Sequence, residues 1–238
     1  MCEHLKKLGA SRGYRAESGE FLCDGIKLLE EAVNNDAEIT NVLTASCVPF
    51  PLPLDTRIAY ADRRIIDSIS PLQNAQDTVF SCKIPLKSAL ADISGTHILL
   101  DGVQDPGNVG TIIRTANAFG VGSVILTNGC ADPYNPKTVR ATMGALFRQK
   151  IFQATLEELR ALCDNGARII GAIPGGAALI PEVAVSGAII AVGSEGRGLS
   201  DEILSMCNEK VTIPISPDCE SLNAAVAASI FMWEARCR

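Results

Sequence analysis

From His97 onward one pattern repeats: a short apolar run, a turn rich in glycine or polar side chains, then a stretch with helical spacing. HILLDGV from His97 and SVILT from Ser123 read as strands, and RIIGAI from Arg168 and AIIAV from Ala188 are strands formed by unbroken apolar runs. Strands of that kind are buried on both faces. Between them the spacing predicts helices. Gly110–Phe119 turns Ile112, Ile113, Ala116 and Phe119 inward and stops at Gly120, and Pro136 opens a helix reaching about Leu146. Leu156–Cys163 and Leu199–Met206 complete the set. Strands alternating with helices imply an α/β fold with a parallel sheet covered on both sides.

The first part of the chain reads as a smaller α/β unit. Strands are expected at Gly19–Asp24, Glu38–Thr44, Thr56–Ala59 and Thr78–Pro85, with helices from Gly25 to Val33 and from Asp62 to Ser68. A boundary around Lys87–Ser94 divides residues 1–90 from residues 91–238. No apolar run is long enough to span a membrane, and no secretory leader is legible at the amino end. The nine cysteines are scattered without CxxC pairs or zinc-like spacing, which points to a reducing, cytoplasmic setting and to no metal site. A formal charge of −6 argues against nucleic-acid binding through bulk electrostatics. It leaves room for a local basic cluster, and Lys6, Lys7, Arg12 and Arg15 form one against a single Glu3.

In open parallel sheets, ligands gather beyond the carboxyl ends of the strands. Three loops qualify. Asp101–Gly120 is glycine-bearing and runs into a helix, but it carries neither GxGxxG nor a Walker A lysine. Asn108 precedes that helix and Arg114 lies one turn in, where an arginine is ordinarily just solvated. Gly193–Ser200 sets Glu195 and Arg197 among glycines; Glu195 is either an anchor for a partner group or a plain turn carboxylate. Val211–Trp233 is a strand over Val211–Ile215, a polar turn and an alanine-rich helix, with Leu222, Val226, Ile230 and Trp233 recurring at helical spacing. Ser221 alone reads as a helix cap, and Cys219 as a space-filler rather than a reactive thiol.

Together, NVGTIIRTANAFG, GSEGRGLS and ISPDCESLNAAVAASI resemble the three motifs of the SpoU (TrmH-like) RNA 2′-O-ribose methyltransferases of the SPOUT superfamily. KTVRATMGALFR resembles the segment between the first two, and Arg15–Gly25 resembles part of an L30e-like RNA-binding domain. Where such enzymes usually have glycine and an aliphatic residue before SLN, this chain has Pro217, Asp218 and Cys219. The resemblance implies a SPOUT-type sheet with a carboxyl-terminal deep trefoil knot, a homodimer, and S-adenosyl-L-methionine as methyl donor without a metal. It implies Leu126, Thr127, Asn128, Gly193, Ile213 and Leu222 at the cofactor. Arg114 becomes the catalytic guanidinium, oriented with the ribose by Asn108, Glu195, Ser221 and Asn223, while Arg12, Arg15 and Arg140 contact RNA. The substrate implied is large-subunit ribosomal RNA. Transfer RNA, or a non-catalytic assembly role, are the alternatives, and a nicotinamide or flavin enzyme is disfavoured by the missing fingerprint.

Overall fold

The computed structural model describes residues 1–72, 76–86 and 94–237. The first part runs α1 (Cys2–Ala10), α2 (Arg12–Ser18), β1 (Glu20–Asp24), α3 (Ile26–Asn34), β2 (Ile39–Thr44), β3 (Arg57–Tyr60), α4 (Arg63–Ile69) and β4 (Thr78–Lys83). From His97 follow β5 (His97–Asp101), α5 (Pro106–Phe119), β6 (Ser123–Leu126), α6 (Pro136–Thr142), β7 (Ile151–Gln153) and α7 (Leu156–Asp164). The chain ends with β8 (Ile169–Ala172), β9 (Ala178–Leu179), β10 (Ile189–Gly193), α8 (Asp201–Met206), β11 (Glu209–Thr212) and α9 (Ala224–Cys237). Among the described residues no helix is long and apolar enough to cross a membrane. Two compact units result: Met1–Leu86 with Asp132–Arg148, and the remainder. The boundary expected at Lys87–Ser94 falls almost wholly outside the described residues.

The first unit is a four-stranded sheet in the order β1-β4-β2-β3. Leu5, Leu8, Leu22, Leu43, Ile66, Ile69 and Val79 form a core cluster within it. Its sequence is not contiguous, because Asp132–Arg148 folds with it. Tyr134 and Phe147 pack around Phe21, with ring centroids 5.0 and 6.4 Å away. Arg15 donates through Nε and Nη2 to Asp132 Oδ2 at 3.0 and 2.6 Å, and through Nη1 to Leu8 O at 2.7 Å. Arg148 pairs with Glu31. α6 stops at Thr142, short of the expected Leu146, because Met143 and Gly144 take left-handed φ values of 49° and 88°. Gly144 suits that turn, having no Cβ to strain it.

The second unit is a seven-stranded sheet, parallel in every pairing, ordered β7-β6-β5-β10-β8-β11-β9. Leu99, Ile125, Ile169, Ile189 and Ala191 pack with Leu159 of α7 and Ile203 of α8; α9 packs on α5 and β10. The short β7 and β9 were not legible as strands. Three expectations move. α5 begins at Pro106 rather than Gly110, capped by Asp105, whose Oδ1 accepts from Asn108 N at 2.9 Å. The strand expected at Val211–Ile215 is Glu209–Thr212, and Pro214 cannot extend it. α9 buries Ala224, Ala225, Ala228, Phe231 and Met232, leaving Val226 48% and Trp233 56% exposed. The stripe of large residues is therefore not the core face. The core face carries the alanines together with Phe231 and Met232.

Candidate active site at the carboxyl ends of the parallel strands

β8, β10 and β11 end on one side of the second sheet, and a cavity of about 160 Å³ opens beyond them. Its floor is Ala172, Ile173 and Pro174 at the end of β8, with Val192, Gly193 and Ser194 at the end of β10. Thr212, Ile213 and Ile215 at the end of β11 close one side; Ser221, Leu222, Ala224, Ala227 and Phe231 close the other. Glu195 and Gly198 stand at the rim. The lining is mainly apolar with a few polar groups, the composition of a small-molecule site. Gly193 is obligatory, since a Cβ there would lie 2.0 Å from the backbone carbon of Gly198.

One polar chain crosses the loops. Asn108 donates through Nδ2 to Glu195 Oε1, and Asn223 donates through Nδ2 to Asn108 Oδ1 at 3.1 Å. Asn223 Oδ1 accepts from Ala225 N at 2.9 Å and Val226 N at 3.3 Å, so Asn223, not Ser221, caps α9. These residues come from three distant stretches of sequence. Cys219 donates its thiol to Ser221 O at 3.3 Å and is exposed. Cys207, by contrast, is pushed up to about 11 by burial and donates to Ile203 O, which makes it an inert filler.

The expected residues divide. Gly193, Ile213, Leu222, Ser221 and Glu195 all line the cavity, and Asn108 and Asn223 are bonded into the same cluster. Leu126, Thr127 and Asn128 do not line it. β6 is separated from β10 by β5, and strand order across a sheet is not visible in chain order. Leu126 is core, and Thr127 donates to Asp101. The wall expected from β6 comes instead from β8. Its signal was present in IPGG after the buried strand: a Cβ on Gly176 would meet Lys210 O at 2.8 Å, so the turn requires glycine. Arg114 is exposed, lies outside the cavity lining, and makes no hydrogen bond or ion pair among the described residues. Asn108 and Arg114 are between one and two turns apart on α5, on different faces at about 3.6 residues per turn. The expected orientation of Arg114 by Asn108 and its partners is thus not seen within one chain.

In the first unit, Arg12 and Arg140 are exposed. Arg15 is not: it is 3% exposed and committed to Asp132 and Leu8. It is a structural residue, which corrects its expected contact with RNA.

A profile of the SpoU rRNA Methylase family matches residues 95–233, which contain every residue of the cavity and its polar chain. The chain belongs to that family. The SpoU match leaves out the first unit's amino-terminal part, but full-length relatives include it. The 23S rRNA (guanosine(2553)-2′-O)-methyltransferase RlmP of Bacillus subtilis is 31% identical over 229 residues, 93% of this chain and 90% of that protein. The structure of a TrmH-family protein from Porphyromonas gingivalis superposes with a TM-score of 0.91 at 32% identity, covering 100% of this chain and 97% of that one. The AdoMet-bound rRNA methyltransferase of Sinorhizobium meliloti gives 0.87 at 28% identity, with coverage of 99% and 94%. The α/β fold with its parallel sheet is therefore that of SpoU enzymes.

Proposed function

We propose that this chain is an S-adenosylmethionine-dependent 2′-O-ribose methyltransferase acting on large-subunit ribosomal RNA. The observation that carries the reading is the convergence of Asn108, Glu195 and Asn223 at the mouth of the cavity between β8, β10 and β11. The likeness to RlmP along nearly the whole chain supports the substrate, and the AdoMet-bound relative supports the donor. The lining fits that donor. Val192, Ile173, Ile213 and Leu222 suit a flat purine, strand-end backbone supplies directional hydrogen bonds, and Glu195 and Ser221 supply polar atoms at the rim. When bound, S-adenosylmethionine supplies an activated methyl group for in-line transfer to a ribose hydroxyl.

The protein's part is alignment and charge. Asn108, held between Asn223 and Glu195, fixes the rim at which the ribose docks, and alignment supplies much of the rate in such displacements. The Arg114 guanidinium stabilises the hydroxyl oxygen as it loses its proton, or binds the neighbouring phosphate. Its separation from its own chain's cavity supports a homodimeric site in which the partner's α5 faces the cavity. Exposed Val226 and Trp233 on α9 support the same arrangement. A trefoil knot is consistent with the loop Gly193–Ser200 being closed by paired Ser194 and Gly198 while the segment from β11 to α9 lines the same cavity. The first unit serves as the L30e-like RNA-binding domain, offering Arg12 and Arg140, in a cytoplasmic enzyme.

The test is transfer of labelled methyl from S-adenosylmethionine into ribosomal RNA by the purified protein, with the product mapped to a nucleotide and atom. A single ribose 2′-O-methyl mark is expected. A methylated base, or labelling of transfer RNA in preference to ribosomal RNA, would refute the assignment.

A further inference from the structure

We infer that Asp101 is a positioning residue whose carboxylate latches the Gly193–Ser200 loop and so sets where Glu195 stands against Asn108. The inference rests on the function proposed above. Both ends of the loop converge on this one residue. At the start, Gly193 is the register partner of Asp101 in the β10–β5 pairing. At the end, Ser200 N donates to Asp101 Oδ2 at 2.7 Å. The second carboxylate oxygen is held from another strand: Thr127 Oγ1 donates to Asp101 Oδ1 at 2.9 Å, while accepting from Gly102 N at 3.2 Å. Between the ends, Ser194 and Gly198 exchange backbone hydrogen bonds of 3.1 and 2.9 Å.

Glu195, Gly196, Arg197 and Gly198 are exposed, so packing does little to fix them. Leu199 is 8% exposed and sits in the core beside Ile203 and Leu159, which keeps the loop attached to the fold if the latch opens. What the carboxylate adds is placement. Glu195 is the acceptor for Asn108, and Asn108 is the acceptor for Asn223, so an error at the loop passes along the whole polar chain. Misplacement on the scale of an ångström costs rate, while the lining supplied by Ile173, Ile213, Leu222 and Phe231, which lies outside the loop, still holds the donor. The role needs acceptors rather than charge. In Asp101→Asn the side-chain oxygen still accepts from Ser200, and the amide can donate to Thr127 Oγ1, whose hydroxyl turns toward Asn128 O, 3.3 Å away.

Three measurements on the full chain test this: methyl transfer to ribosomal RNA, the KM for S-adenosylmethionine, and hydrogen exchange of the amides in residues 194–200. In Asp101→Ala, kcat is expected to fall about tenfold or more while KM moves less than about threefold. Exchange at the Gly198 and Ser200 amides is expected to quicken about tenfold. Asp101→Asn restores all of these to within about threefold of wild type. Should Asp101→Ala fold poorly, Ser200→Pro removes the same N–H from the other side, and the native φ of −66° suits proline. Its comparison with Ser200→Ala, which lacks only the cap, isolates the latch. Wild-type kcat or wild-type exchange in the latch-breaking variants overturns the inference, as does an Asn variant as impaired as Ala. If the wild-type protein methylates no RNA while exchange responds as expected, the proposed function fails and the latch stands.

Discussion

Arg15 in the first unit and Arg114 in the second stand in opposite settings. In the first, Arg15 is 3% exposed and donates from Nε, Nη1 and Nη2 to Asp132 and Leu8. In the second, Arg114 is exposed and bonded to nothing among the described residues. A buried arginine is tolerated only when its charge and donors are met. An unpaired arginine in the segment that carries the family's first motif is free to meet a phosphate or a developing oxyanion.

The comparison breaks most readily at Arg15. Arg15→Met should cost about 3–5 kcal/mol, because the nearly buried Asp132 is left without its partner. Denaturant titration checks this, and a loss under about 1 kcal/mol would place the pair with ordinary surface bridges. Arg114→Ala should lower kcat about 100-fold or more with an unchanged unfolding midpoint. Unaltered turnover would show that exposure there means nothing. Asn223 belongs to both categories, being a cap and a member of the polar chain. Asn223→Ala should lose about 1 kcal/mol of stability together with activity, while Asn223→Ser keeps the cap and loses activity alone.

The smallest effect concerns Glu20 in the first unit. Burial alone would raise its pKa, but hydrogen bonds involving His4, Thr40 and Ser81 outweigh this and hold the carboxyl below its ordinary value. Stability from this group is therefore present above the ordinary glutamate range and is lost as pH falls through the lower folded value. Melting curves on the acid side should fall less steeply in Glu20→Gln than in wild type. Identical acid slopes would remove Glu20 from the account.

Much of this was legible in the sequence where one local rule sufficed. Unbroken apolar runs gave the parallel strands, while the resemblance to the SpoU motifs singled out Gly193, Ile213 and Leu222, which line the cavity. What failed depended on order in space. β6 is next to β5 in both chain and sheet, yet β10 enters on β5's other side, so the cavity wall comes from Ile173 and Pro174 rather than Thr127. α9 misled for another reason: the expected stripe ran through Val226 and Trp233, whereas the buried face runs through Ala224, Ala225, Ala228, Phe231 and Met232. Asp132–Arg148 sits among the motif blocks in sequence and folds with the first unit, which no periodicity reveals. Deleting Met1–Leu86 would strip that segment of its partners, so point variants at Arg12 and Arg140 are the cleaner probe of RNA affinity.

The central claim is that the cavity beyond β8, β10 and β11 holds the methyl donor. Calorimetric titration of S-adenosylmethionine into wild type and into Ala227→Phe, which fills that cavity, tests it directly. Saturable binding by wild type, lost in the variant while its unfolding midpoint holds, is the expected result. Equal affinity in the two proteins, or no binding by wild type, would contradict it.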